Sequence, residues 1–422
     1  MTSRTGLRLV TTAVALSLLG FLVPDANAST DLYSGSLWGI RTVRAEAAWN
    51  AATGRGVTIA IVDSGVDATH EDLRANVVPG YDLVDNDADA SDEAGHGTHV
   101  AGIAAAVANN GLGVAGVAPN AKIMPVRVLD ADGVGSLSRI EEGVRWAVDH
   151  GADVVNLSLS ADFITEFLTG GTLTDAVNFA WSRGVIPVIS AGNESLFRSE
   201  LRRAKAIVVT ATTPDDRKAS YATGVGFAPW GIAAPGGTSD GGQENMIFST
   251  WWASDEKAYA YAMGTSMATP HVAGAAALLR SMGLSPKQTV DRLLNTAKDL
   301  GSRGNDSTYG HGRLDVAAAA QAGAQGPAGR DGSSAEGASA TGRPGSSAGG
   351  SRGASGERAV RRSVTTSTPT TEPGPSAPAP PIPSPEAGIE DDGIGSLPFI
   401  LAGAGAVVAA GAAFLYLRLK RR

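Results

Sequence analysis

Residues 57–67 read Val-Thr-Ile-Ala-Ile-Val-Asp-Ser-Gly-Val-Asp, and the apolar run that opens this stretch decides the fold. Such a run is typical of a strand that is buried on both faces of a parallel sheet. Asp63 follows the run directly, so its carboxylate is expected at the carboxyl edge of the sheet, where open α/β sheets build their sites. Aspartate at a strand end is also a common turn former, so this position alone does not indicate a function.

Similar apolar runs recur on either side of this stretch and alternate with helical patterns. The predicted strands are 57–62, 123–128, 154–159, 185–190 and 207–210, and the predicted helices are 96–107, 137–149 and 172–183. Ser285 followed by Pro286 predicts a further helix start. The alternation predicts a three-layer α/β fold with a mainly parallel central sheet covered by helices on both faces.

The composition limits the classes of protein and of chemistry. The chain has 422 residues, of which 43% are apolar and 18% charged, so it can build an ordinary core and is not disordered throughout. Its net charge of -8 argues against nucleic acid as a partner. It has no cysteine, which excludes disulfides, thiol catalysis and cysteine-ligated metals. Catalytic chemistry must therefore come from histidine, carboxylates and hydroxyls.

The N-terminus has the layout of a secretory signal peptide. Arg4 and Arg8 precede an uncharged stretch over 9–23, and Ala-Asn-Ala ends at Ala28. A signal peptide over 1–28, cleaved after Ala28, is therefore predicted. An uncleaved anchor helix is the alternative, which the small residues at the cleavage positions make less favourable.

The C-terminal region predicts a membrane anchor. Residues 397–417 carry no charge and are long enough to cross a bilayer, and four basic residues stand in the tail 418–422. By the positive-inside rule that tail is cytoplasmic, so the protein is expected to be a single-pass cell-membrane protein with its globular domain outside the cell. A buried core helix and a lipid-anchor signal are alternatives, but neither normally ends in a basic cluster. Residues 322–396, rich in Gly, Ser and Pro, predict a disordered linker or stalk.

Three short motifs carry the candidate chemistry. Asp63, His96 and Ser266 stand, in that order, in Asp-Ser-Gly-Val (63–66), Gly-His-Gly-Thr-His-Val-Ala-Gly (95–102) and Gly-Thr-Ser-Met-Ala-Thr-Pro-His-Val-Ala-Gly (264–274). Taken singly, each has an ordinary structural explanation, such as a turn, a helix cap or a core position. Together they follow one of the known chain orders of the Asp–His–Ser triad.

These motifs resemble those of the subtilisin-like serine endopeptidases, the subtilases, over residues 38–320. The resemblance implies a subtilase catalytic domain over 29–321 that hydrolyses peptide bonds of extracellular proteins and needs no cofactor for its chemistry. It implies that Ser266 is the nucleophile, His96 the general base and acid, and Asp63 the residue that orients the imidazole. Asn193, in Ser-Ala-Gly-Asn, matches the family's oxyanion-hole asparagine.

Substrate-binding and metal-binding positions follow from the same resemblance. Leu157, Ser158 and Leu159 would line the pocket for the residue before the scissile bond, and Gly133 and Gly135 would pair with the substrate backbone. Where the family usually has glycines this chain has Ser-Ala at 160–161, so its preference is open.

The resemblance further predicts a structural calcium ion at Asp72 and Asn110. The competing explanation is a solvated aspartate beside an Asn-Gly turn. Zinc on His96, His99 and His271 is a second metal hypothesis, but the chain has no His-Glu-x-x-His motif.

The order of segments is similar to that of the mycosins, membrane subtilases linked to type VII secretion. Two features depart from the mycosin pattern: the chain has no cysteine, and a methionine, Met267, follows the serine of the third motif. Only a few residues separate the expected cleavage site from the expected mature start at 37–40, which leaves no room for a propeptide domain. A catalytically dead surface binding module is the alternative from another functional class.

Overall fold

The computed structural model describes residues 29–159, 173–193, 204–252 and 257–322. Its centre is a seven-stranded sheet formed by β1 (Thr58–Asp63), β2 (Tyr81–Asp82), β3 (Lys122–Arg127), β4 (Val154–Leu157), β5 (Ile186–Ser190), β6 (Ile207–Thr212) and β7 (Gly231–Pro235). The strands are ordered β2-β3-β1-β4-β5-β6-β7, and every neighbouring pair is parallel. The direction of winding reverses between β1 and β4, so the carboxyl ends of these two strands border the crevice in which such sheets build their sites.

Helices cover both faces of this sheet. They are α1 (Trp38–Thr42), α2 (His96–Ala105), α3 (Leu137–Asp149), α4 (Leu173–Ser182), α5 (Thr265–Ser281), α6 (Pro286–Asn295) and α7 (Val316–Gln321). Apolar residues of α3 and α4 form one hydrophobic cluster with the sheet, and those of α2, α5, α6 and α7 form another on the opposite face. The predicted three-layer α/β architecture is confirmed.

Local sequence determines where helix α3 begins and which of its faces is buried. Ser136 caps its first turn by accepting a hydrogen bond from Arg139 N at 3.2 Å. Ile140, Val144 and Ala147 recur at helical spacing and are all buried against the sheet. Both ends of the helix match the sequence prediction. The helix start predicted at Ser285 is present as well, with a capping box to Gln288.

An antiparallel hairpin outside the main sheet lies against α2. Its strands are β8 (Ile247–Trp252) and β9 (Lys257–Ala262), which the sequence analysis did not predict. Ser249 Oγ donates a hydrogen bond to the carbonyl of His99 at 2.9 Å, and Thr250 Oγ1 donates to that of Thr98 at 2.7 Å. These bonds hold the first turns of α2 in place.

Several sequence predictions lie outside the described residues: the signal peptide, most of the linker, the 397–417 span, the basic tail and the segment 160–171. Among the helices that are described, none combines the length and the hydrophobicity needed to cross a bilayer. The predicted strand 154–159 is shorter in the structure and ends at Leu157, and the predicted helix 96–107 ends at Ala105.

Candidate active site

The carboxyl end of β1 and the first turn of α2 bring Asp63 and His96 together. His96 Nδ1 lies 2.6 Å from Asp63 Oδ1, which also accepts a hydrogen bond from Ser64 N at 2.8 Å. Asp63 is fully buried, whereas 20% of the His96 side chain is exposed. Contact with a carboxylate requires a proton on Nδ1, so this arrangement fixes the tautomer of the imidazole and leaves Nε2 as the basic nitrogen.

Burial and nearby negative charge act on the pKa of His96 in opposite directions. Burial, the largest influence, pushes its pKa down. The negative charge of Asp63, the hydrogen bond to it and the charge of Asp92 push the pKa up and prevail, so the pKa of His96 lies above its ordinary value. The site therefore favours the imidazolium more than water does, as a general base that must take up a proton requires.

Ser266 lies in the first turn of α5 and is held by Ser158, the residue after β4. Ser266 Oγ donates a hydrogen bond to the Ser158 carbonyl at 3.0 Å, and Ser158 Oγ donates to the Ser266 carbonyl at 2.8 Å. Pro270 explains the second bond, because proline has no N–H to donate to the carbonyl four residues before it. The Ser266 carbonyl, which has no partner within the helix, therefore accepts its hydrogen bond from Ser158 Oγ. No pattern in the sequence predicted this supporting contact.

Asn193 follows β5 and lies next to the turn that precedes α5. Its Oδ1 accepts hydrogen bonds from Thr265 N and Thr265 Oγ1, both at 3.0 Å. These bonds fix the orientation of the amide and leave Nδ2 without an acceptor among the described residues. Nδ2 lies beside Gly264, where a Cβ would approach it to 3.5 Å. The amide can thus donate to an oxygen near the start of α5.

The other residues predicted to bind substrate lie around the same edge of the sheet. Leu157, Ser158 and Leu159 are buried, so their side chains serve the core and the support of Ser266. Gly133 has a φ of 74° in a turn where its N–H donates to Asp130 O at 2.8 Å. A Cβ on Gly135 would lie 2.6 Å from the Val128 carbonyl, so close backbone packing explains that glycine. Contact of these residues with substrate stays a prediction.

The two other histidines of the motifs are buried and bonded to backbone carbonyls. His99 Nε2 lies 3.2 Å from Ile247 O and 3.1 Å from Ala260 O, and His271 Nδ1 lies 2.8 Å from Met267 O. Burial lowers the pKa of His99 to about 3 and that of His271 to about 4. Both imidazoles are therefore neutral and structural at neutral pH.

Asp72 and Asn110 lie side by side, but their contacts do not suit a cation. Asn110 Nδ2 donates to Asp72 Oδ1 at 2.8 Å. Val114 N and the Tyr259 hydroxyl donate to Asp72 Oδ2 at 2.7 and 3.0 Å. Asn110 Oδ1 accepts from Leu112 N at 2.8 Å, which fixes the direction of the amide. Calcium requires converging oxygen ligands, whereas hydrogen-bond donors surround Asp72, so these residues do not fit the ion.

Asp31 holds the loop over 109–114, which contains Asn110, and it was not among the predicted site residues. Its Oδ2 accepts from Asn109 N at 2.8 Å, and its Oδ1 accepts from Asn110 N and Gly111 N at 2.9 and 3.0 Å. Ser29 Oγ donates to Oδ2 at 2.6 Å. Three successive N–H groups thus form a concave nest around a buried carboxylate. No local sequence pattern indicates this contact, which joins residues 78 positions apart.

Comparisons with known proteins identify the family of this chain. The family described as "Subtilase family" matches residues 54–312. Thermitase of Thermoactinomyces vulgaris is 40% identical over 296 residues, covering 68% of this chain and 97% of that protein. Subtilisin BL of Lederbergia lenta is 42% identical over 288 residues, covering 67% and 97%. A solved protease structure from Pseudoalteromonas arctica superposes with a TM-score of 0.60 at 32% identity, covering 70% of this chain and 99% of that one.

The matched residues, 54–312, include both β1, which carries Asp63, and α5, which carries Ser266. Its fold agrees with the parallel sheet and the two helical layers described above. The chain belongs to the subtilase family and is a subtilisin-like serine endopeptidase.

Proposed function

We propose that this chain cleaves protein substrates through Asp63, His96 and Ser266, with Asn193 in the oxyanion hole. The observation that carries the proposal is the 2.6 Å contact between His96 Nδ1 and Asp63 Oδ1. This contact lies at the start of α2, and α2 packs against α5, the helix whose first turn contains Ser266. Membership of the subtilase family supports the same assignment of roles.

In the acylation step Ser266 Oγ leaves its bond to the Ser158 carbonyl and attacks the carbonyl carbon of the scissile peptide bond. Its proton passes to His96 Nε2, and Asp63 stabilises the imidazolium that results. The C–N bond then breaks as His96 returns the proton to the leaving amine. Water, deprotonated by His96, next attacks the acyl ester. The bond between Ser266 Oγ and the acyl carbon then breaks as His96 returns the proton to Oγ, which releases the second product and regenerates the serine.

Asn193 supports the tetrahedral intermediate. Because Thr265 holds Oδ1, the Nδ2 group is oriented in advance and pays little reorganisation cost when the carbonyl oxygen becomes negative. This donor acts on the oxyanion more strongly than on the neutral carbonyl, so its effect falls on kcat.

The test combines variants with a covalent probe. Ser266→Ala, His96→Ala and Asp63→Asn should each remove most hydrolysis of a peptide substrate while the circular dichroism spectrum stays unchanged, because the triad acts as a unit. A fluorophosphonate should label the wild type and not Ser266→Ala. Wild-type turnover by pure Ser266→Ala, or an unlabelled wild type, would instead favour a catalytically dead binding module.

We further propose that the enzyme is exported and tethered to the cell membrane. The signal-peptide pattern over 1–28, the linker over 322–396, the uncharged span 397–417 and the basic tail 418–422 support this placement. Its partners would then be extracellular proteins or neighbouring membrane proteins. A mycosin-like role in type VII secretion rests on segment order alone, so the proposal does not narrow the substrate to that pathway.

We also propose that the loop over 109–114 is closed by hydrogen bonds in place of the calcium ion that the family resemblance predicts. The donors around Asp72 and the nest around Asp31 support this proposal. The protease would then keep its stability when divalent cations are removed.

A further inference from the structure

We propose that Asp92 and Ser64 form a positioning pair that holds the start of α2, and with it His96, against Asp63. This inference rests on the proposed role of His96 as the base. Neither residue is expected to touch substrate, and both act through the imidazole.

Asp92 is 1% exposed and serves as the cap of α2. Its Oδ1 accepts hydrogen bonds from Ser64 Oγ at 2.8 Å, Ala94 N at 3.0 Å and Gly95 N at 2.8 Å. Its Oδ2 accepts from Thr98 N at 2.8 Å and Thr98 Oγ1 at 2.6 Å. The N-cap position itself is Gly95, which has no side chain for this task, so Asp92 supplies the capping carboxylate from three residues upstream.

Ser64 joins this cap to the end of β1. Its backbone N–H donates to Asp63 Oδ1 at 2.8 Å, while its hydroxyl accepts from Gly97 N at 3.0 Å and donates to Asp92. The contact between strand and helix is also tight, since a Cβ on Gly97 would lie 2.0 Å from the Gly65 carbonyl. One serine therefore fixes the distance between the element that carries Asp63 and the element that carries His96.

Asp92 also contributes charge to the site. The charged and titratable groups that influence His96 are Asp63 on β1, Asp92 on the preceding loop and His99 on α2 itself. His99 is neutral at ordinary pH because burial lowers its pKa to about 3. Burial raises the pKa of Asp92, but its three backbone N–H partners can only donate, so they favour the ionised form. Together with Asp63, this charge raises the pKa of His96.

The two roles, linkage and charge, can be separated with two variants. Ser64→Ala breaks the link and keeps the charge, so kcat should fall about tenfold or more with KM and the acid limb of the kcat/KM pH profile unchanged. Asp92→Asn should lower kcat likewise and also shift that acid limb to lower pH. Asp89→Asn is the matched control: Asp89 is an exposed residue of the same loop whose carboxylate, within the described part of the chain, accepts hydrogen bonds only from Ser91, and Oδ1 of asparagine can still accept them, so neither quantity should change.

Rates should be divided by the fraction of active sites titrated with a fluorophosphonate, so that loss of folded enzyme is not counted as loss of catalysis. Wild-type kcat in Ser64→Ala would overturn the linkage, and an acid limb that does not move in folded Asp92→Asn would overturn the contribution of charge. If Asp92→Asn does not fold, Ser64→Ala alone decides the linkage. Full activity of Ser64→Ala beside an inactive Ser266→Ala would refute this inference and leave the proposed function intact.

A different observation, at the N-terminal edge of the described chain, carries a second inference. Ser29 N donates to Glu46 Oε1 at 3.0 Å, and Ser29 itself is buried. We propose that hydrolysis of the Ala28–Ser29 bond by a signal peptidase converts this N–H into an α-ammonium group that forms an ion pair with Glu46. An α-amino group has an ordinary pKa of about 8, so it is charged at neutral pH.

This ion pair would fasten a segment that runs along the loop described above. Thr30 N donates to Asn109 Oδ1 at 3.1 Å, Leu32 N to Leu112 O at 3.1 Å and Tyr33 N to Gly113 O at 2.8 Å. Removal of the signal peptide would thus strengthen the attachment of the N-terminus to the domain and make the mature form more stable than its precursor.

A double-mutant cycle tests the pair in the Ser266→Ala background, which cannot digest itself. The chain that starts at Ser29 and the same chain with two added N-terminal residues are each compared with and without Glu46→Gln. The substitution should lower the melting temperature by about 2–4 °C in the chain with the free Ser29 amine and by clearly less in the extended chain. Equal shifts in both chains would overturn the ion pair.

Discussion

Replacing Asp31 by asparagine tests whether hydrogen bonds close the 109–114 loop. Asparagine has the shape of aspartate but carries one acceptor oxygen and one NH₂ group. In either orientation the NH₂ faces a backbone N–H, of Asn109 or of Asn110 and Gly111, so at least one N–H directed at the buried side chain loses its partner. The remaining bonds lose the assistance of the negative charge. Together these losses should cost about 2–4 kcal/mol of unfolding free energy.

The assay is thermal unfolding of Asp31→Asn in the Ser266→Ala background, with and without excess chelator. For a domain of this size about 2–4 °C of melting temperature corresponds to 1 kcal/mol, so the variant should melt roughly 5–15 °C below its parent. Chelator should leave the melting temperature of the parent unchanged. Asp132→Asn, at an exposed aspartate, is the control for loss of one negative charge.

Two results would refute this reasoning. A parent protein whose melting temperature falls by several degrees in chelator binds a stabilising cation, since only a ligand of the native state gives such a shift. An Asp31→Asn protein that melts within about 1 °C of its parent would show that the nest contributes little.

Three further predictions concern the oxyanion hole, acid stability and placement. Asn193→Ala should lower kcat about 10²–10³-fold with little change in KM, measured by steady-state kinetics; a raised KM at constant kcat would assign Asn193 to substrate binding instead. His99 and His271 have folded pKa values of about 3 and 4, below their unfolded value near 6.5. Unfolding therefore takes up protons between pH 6.5 and 4, so each histidine should lower stability by up to about 1.4 kcal/mol per pH unit as pH falls through that range. Denaturant unfolding from pH 7 to pH 4 measures this slope, and His271→Gln should reduce it. Truncation before Leu397 should release active enzyme into the medium, and retention of the truncated form on cells would contradict the proposed anchor.

The sequence predicted those parts of the fold that local patterns determine. Helix α3 was predicted at both ends because its apolar residues recur at helical spacing and a serine caps it. Five of the buried strands were found because they read as continuous apolar runs, although the short strand β2, strand β7 and the β8–β9 hairpin were missed. The pair Asp63 and His96 was identified from its motifs and is in contact in the structure.

Contacts between distant segments could not be predicted in the same way. Ser158 is fully buried and holds Ser266, a residue 108 positions away, and no motif in the sequence indicated this contact. Asp31 has no pattern of its own, and its partners become visible only when the chain has folded. The motif around Asp72 predicted an ion from its oxygen-bearing residues, whereas the structure directs N–H groups at those oxygens.

Two features together place Ser266: the topology of the sheet and a backbone hydrogen bond that is missing from α5. Pro270 removes one hydrogen bond from α5 and exposes the Ser266 carbonyl, which in an isolated helix would be a net loss of stability. Because the direction of winding reverses between β1 and β4, the residue that follows β4 emerges beside the end of β1 and supplies the missing donor. The same reversal sets Ser158, and with it Ser266, beside the strand that ends in Asp63. The interruption at Pro270 therefore ties Ser266 to the sheet edge that carries Asp63, because a helix without this proline would itself pair the carbonyl that Ser158 now holds.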